Sequence, residues 1–183
     1  GESILASGVA FGHHHAWHLP ELQSFLIGFA GSLAMWWMYF DTSSGDAAHV
    51  IEHSDNPGRL GAYFHYLHVI LIAGVIVCAV ADDLVVAHPA DPVKLKYAAV
   101  LIAGPFIYLL GNALFKRVVY GQFPRSHAIG MATLLLLTPW MPMLNLLAAG
   151  ALTTAVMVLV TLWEAYTRRK AASNGAGLVK HAG

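Results

Sequence analysis

Two histidines, His65 and His68, sit three residues apart near the start of an apolar run that closes on Asp82 and Asp83. Ionisable groups are costly in hydrocarbon, so inside a membrane span they tend to have a partner or a purpose. On a helix, Gly61, His65, His68, Ile72, Val75, Ala79 and Asp82 recur at three or four and share one stripe. Asp82 then lies about 40° around the axis from His68 and about 21 Å further along it. Imidazole exchanges protons near pH ~6.5, so a proton or ion path is the functional reading of this stripe. The plainer reading is two histidines hydrogen-bonded to neighbouring helices, with the aspartates at the interface. A metal pair would need further ligands from other helices.

Glu2 is the remaining candidate for such a path. It precedes a run that reads as the second half of a helix, so the chain is expected to be a fragment whose N-terminal half is missing. Buried in a span and near His65 and His68, Glu2 would join the path; near the interface it would be a surface group. Other polar groups fit packing better. Asp41 closes the aromatic run Trp36-Trp37-Met38-Tyr39-Phe40 and is expected to pair with Arg59. Tyr108 and Asn112 share a helical face with Tyr97 and Gly104 and would line a cavity or bond a neighbouring helix, the second being commoner. Glu164 stands four residues before Arg168, which predicts a surface pair. Gly28 and Ser32 form a small-xxx-small pair suited to close helix contact.

Two histidine clusters carry less. His13, His14, His15 and His18 invite weak metal binding, but adjacent histidines cannot all reach one ion and no Cys or Asp joins them. His49, Glu52, His53 and Asp55 lack the order of the H-E-x-x-H zinc pattern. No G-x-S-x-G, phosphate-binding glycine loop or C-x-x-C pair occurs, so no enzyme, cofactor or metal is expected.

The elements that must position these groups follow from composition. Of 183 residues, 57% are hydrophobic and 11% charged, against roughly 25% charged in soluble domains. This predicts an all-α, polytopic transmembrane helix bundle. About five spans are expected, near 22–40, 61–82, 95–114, 127–141 and 143–166, after a partial helix at 1–11. Residues 1–167 form the membrane region and 168–183 a cytoplasmic, disordered tail. Gly104-Pro105 should kink the third span, and Pro139 and Pro142 should end the fourth in a tight turn. Ten basic and ten acidic residues cancel, which gives no footprint for nucleic acid. Arg59, Lys116, Arg117, Arg125, Arg168, Arg169 and Lys170 fall on one side against Lys94 and Lys96 on the other. The first side, with the C-terminus, is therefore expected in the cytoplasm. Cys78 has no cysteine to pair with and reads as a buried, inert thiol.

Gly1-Glu2-Ser3-Ile4-Leu5-Ala6, Trp36-Trp37-Met38-Tyr39-Phe40-Asp41, Tyr63-Phe64-His65-Tyr66-Leu67-His68 and Ile72-Ala73-Gly74-Val75-Ile76 occur in the order that resembles the bacterial low temperature requirement A proteins. The resemblance spans most of residues 1–167. It implies a multi-pass bacterial inner-membrane protein about twice this length, with no known reaction. It also implies that Glu2, Trp37, Asp41, His65 and His68 occupy the family's polar and aromatic motif positions. Membrane lipid and the missing N-terminal half are the partners expected, with self-association open. Two functions compete. One is transport of protons, ions or a small solute between helices. The other is a non-transporting structural factor in cold or stress adaptation.

Overall fold

The structure, a computed structural model, describes the backbone of residues 19–52 and 56–181 and the side chains of 19–40 and 56–170. Five helices are described: α1 Leu19–Glu52, α2 Pro57–Ala87, α3 Leu95–Tyr120, α4 Arg125–Leu137 and α5 Leu146–His181. A 3-10 segment, Thr138–Met143, joins α4 to α5. No strand occurs among the described residues.

Local chemistry sets several of these boundaries. The Asn56 side chain accepts the Arg59 N–H at 3.1 Å, and Pro57 occupies the first turn of α2, where its missing N–H costs nothing. At the far end of α3, Gly121 adopts φ 71°, a left-handed conformation that glycine takes without a Cβ clash. Pro105 lies inside α3, and the helix runs through it. Pro139 and Pro142 hold the 3-10 segment that follows α4.

α2, α3 and the Leu146–Lys170 part of α5 are long and apolar enough to cross a membrane. Among the described residues, three of the five expected spans meet that measure. α4 has 13 residues, about 20 Å of helix against a core of about 30 Å. α1 extends well beyond 22–40, and its apolar portion is diluted by Gln23, Ser24, Ser32 and Tyr39. The α5 backbone stays helical to His181, beyond the point where the sequence predicts a disordered tail.

The most extensive seam joins α2 to α3, followed by that between α1 and α5. Small residues allow the first. A Cβ on Gly74 would sit 2.6 Å from the Tyr108 backbone nitrogen, and one on Gly104 would sit 2.8 Å from that of Cys78. Helices that associate in lipid gain from such close backbone contact, since lipid offers no hydrophobic drive between them. Away from the seam, α2 exposes Tyr66, Val69, Ile72, Ile76 and Val80. At one end of the bundle the 88–94 loop is fastened to the start of α5. Val93 N–H donates to Leu144 C=O at 3.0 Å, and Leu146 N–H to Asp91 C=O at 2.9 Å.

Candidate functional site

α3 presents Tyr108, Asn112 and Lys116 at successive turns of one face, and all three are buried. α5 brings Glu164 opposite, and the first turn of α4 adds Ser126 and His127. Lys116 Nζ pairs with Glu164 Oε2. Ser126 Oγ donates to Glu164 Oε1 at 3.1 Å, and His127 Nδ1 lies 3.2 Å from the same oxygen. On the other side of the ring, His127 Nε2 lies 2.9 Å from Asn112 Oδ1. His127 is wholly buried and Lys116 is 5% exposed.

A charge pair this enclosed loses its hydration, and only good geometry with extra hydrogen bonds compensates. Here the carboxylate receives an ammonium, a hydroxyl and an imidazole. The His127 ring faces acceptor oxygens on both nitrogens, an arrangement that imidazolium satisfies directly. A neutral ring satisfies it when the Asn112 amide turns to donate. The cluster therefore holds an ionised carboxylate with an ammonium, a hydroxyl and an imidazole as its partners.

Away from the cluster, the polar face of α3 continues with Tyr108 and α5 adds Thr161, both buried. Thr161 Oγ1 donates to Met157 C=O at 2.8 Å. Tyr108 Oη donates to Met35 C=O on α1 at 2.5 Å. Beyond Tyr108 lies an open space bordered by Asp82, Pro105, Thr153 and Thr154. Pro105 to Lys116 covers about 17 Å of helix, and Thr154 to Glu164 about 15 Å.

These groups depart from the stripe expected along α2. The inward face of α2 carries Phe64, Leu71, Gly74, Cys78, Ala81 and Val85. His65 and Ile72 are exposed, whereas His68 is half-buried. His68 Nδ1 lies 2.9 Å from Phe64 C=O and Nε2 2.9 Å from Tyr39 Oη. The carbonyl can only accept, so Nδ1 carries the proton and Nε2 accepts from Tyr39. Its ring also stands edge-on to Tyr39 and Phe115. These contacts tie α1, α2 and α3 together, which is the plainer of the two readings of His68.

Glu2, the His13–His18 cluster, His53 and Asp55, and the side chains of Asp41, His49 and Glu52 lie outside the described residues. Arg59, expected to pair with Asp41, donates to Tyr63 Oη at 3.5 Å and lies 5.8 Å from the centre of that ring. Trp37 is exposed. Cys78 is a buried free thiol. Glu164, expected in a surface pair with Arg168, turns inward to Lys116 instead. Lys116, Ser126 and His127 were missed as site residues, because a lysine near a span end reads as a cytoplasmic anchor. One signal was available: Tyr108, Asn112 and Lys116 are spaced at i, i+4 and i+8, which extends a polar face already visible at Asn112.

The model of the bacterial low temperature requirement A protein (LtrA) family matches residues 1–162. The chain belongs to this family. It is a membrane protein of the LtrA type, with a helical bundle as its architecture. An uncharacterized protein of Rhizobium meliloti (strain 1021) is 31% identical over 166 residues, a match covering 90% of this chain and 40% of that relative. The chain thus spans well under half the length of the curated relative it matches. No solved structure matches.

Proposed function

We propose that this LtrA protein moves protons or small cations across the bacterial inner membrane along the α3–α5 seam, without enzymatic chemistry. The observation that carries the reading is the buried Lys116–Glu164–His127 cluster, with Tyr108 on the same face of α3 and the space beside Asp82 beyond it. Charged groups at membrane depth face bundle interiors or water-filled cavities and commonly mark ion and proton routes. A cytoplasmic cluster end is supported by Arg117 and Arg168–Lys170 there, against Lys94 and Lys96 at the opposite end. Lipid and the rest of the longer protein are the partners this reading requires.

A second reading has its own support. Among the described residues, every buried side-chain nitrogen and oxygen has a hydrogen-bond partner. A fully satisfied network suits a structural or cold-adaptation factor in which the polar groups only hold helices in register. One double variant separates the two. Lys116→Met with Glu164→Leu removes both charges and keeps apolar volume, an exchange that buried pairs tolerate. In liposomes containing the full-length protein, transport predicts a folded double variant with no pH-driven flux. Unchanged flux in that variant, or no flux in the natural protein, defeats the transport reading.

A further inference from the structure

We propose that the groove between α1 and α5 holds one anionic phospholipid, with an acyl chain along the trough and the phosphate at Arg169. The two helices run in the same direction. A Cβ on Gly31 would lie 3.5 Å from Thr154 Oγ1, and Thr161 Oγ1 lies 3.5 Å from Ala34 C=O. Beside this contact the seam opens into a groove of about 470 Å³. Side-chain size makes the trough. Ala30, Ala34 and Ala165 are small, whereas Leu33 on α1 and Leu162 on α5 stand exposed beside them.

Polarity along the groove selects the occupant. The stretch around Ala30 and Val158 is apolar. The Thr161 hydroxyl is already used, donating to Met157 C=O at 2.8 Å. The remaining polar groups gather toward one end: the Trp37 indole N–H, the Tyr166 hydroxyl and the Arg169 guanidinium. All three side chains are exposed, and each can donate a hydrogen bond. No carboxylate lines the groove among the described residues, and Glu164, on the same stretch of α5, turns away to Lys116. An apolar trough that ends in donors and positive charge complements an amphiphile whose head is an anionic acceptor.

The dimensions agree with a lipid in one leaflet. Val158 to Arg169 covers about 17 Å of helix, and one leaflet contributes about 15 Å of the hydrocarbon core. Arg168, Arg169 and Lys170 follow directly on the apolar part of α5, where basic residues attract anionic lipid heads. Trp and Tyr are enriched at the same level of the bilayer. A zwitterionic head would bring its own cation beside Arg169, so the groove favours a head with net negative charge. A helix of the longer protein packed in the trough would instead exclude lipid.

This site is independent of the transport reading and is tested without measuring flux. The full-length protein is reconstituted in nanodiscs of phosphatidylglycerol and phosphatidylcholine with identical acyl chains, then released and read by native mass spectrometry. The expected result is one retained phosphatidylglycerol per chain in preference to phosphatidylcholine. Arg169→Gln should weaken that retention about fivefold, the effect of one basic residue beside a membrane surface. Lys170→Gln removes the same charge from a residue that does not line the groove and should leave retention unchanged. Ala165→Phe fills the trough and should abolish it; Arg169→Gln, at an exposed position, keeps the test open if Ala165→Phe does not fold. Equal retention of the two lipids, or none, overturns the site and leaves the trough to protein. An equal loss in Lys170→Gln and Arg169→Gln also overturns it, by reducing the effect to general surface attraction.

Discussion

Glu164 receives Lys116, Ser126 and His127 together, and the consequences of losing it are asymmetric. Glu164→Gln removes the carboxylate that faces buried Lys116, and breaking a buried ion pair from one side costs about 3–5 kcal/mol. The double change Lys116→Met with Glu164→Leu should restore most of that loss, measured as Tm in detergent. Recovery no better than the single variant would mean that the cluster stabilises by geometry rather than by charge balance. The two neighbouring histidines should also behave differently. Tyr39→Phe removes the donor to His68 Nε2 and should cost about 0.5–1.5 kcal/mol. His65→Ala alters an exposed side chain and should stay within about 0.5 kcal/mol of the natural protein. Equal effects at the two sites would restore the histidine pair that the sequence suggests.

At the scale of helices, the α2–α3 seam depends on glycine. Gly74→Ala places a methyl against the Tyr108 backbone, which a flexible side chain cannot relieve, so the helices must separate. A loss of about 1–3 kcal/mol is expected, as for overpacking elsewhere. Gly61→Ala, on the same helix with open space around it, should be neutral or stabilising, because alanine favours helix by roughly 0.8–1.0 kcal/mol. Unfolding of both variants side by side tests this; equal destabilisation would show that the seam is not where the helices meet. Because Tyr108 lies on this seam and also bonds Met35, separation of the helices would disturb that bond as well.

For the whole molecule, the orientation is the property most open to a direct test. α3 separates the 88–94 loop from the 121–124 turn, and Ala90 and Gln122 are both exposed. With the full-length protein in intact cells, Ala90→Cys should react with an impermeant thiol reagent and Gln122→Cys only after permeabilisation. Buried Cys78 should add no background. Reaction at both positions from outside would overturn the positive-inside assignment.

The sequence by itself determined the class, the helical architecture, the order of the main helices and the family. These depend on the length and apolarity of runs, which are local properties. It also marked Asp82, Tyr108 and Asn112 as polar groups of interest within spans. It did not determine which way each helix faces. In water an apolar stripe marks the buried side, but α2 is apolar around nearly its whole circumference, because lipid accepts the same side chains as the core. Periodicity there drew His65, His68 and Asp82 onto one line, and only packing left His65 exposed and joined His68 to Tyr39. The same ambiguity made Lys116 a surface anchor and Glu164 a surface partner. Their true pairing links residues 48 positions apart, on helices that approach each other only in the folded bundle, and the same holds for the convergence of Asp82, Pro105 and Thr154 on one open space.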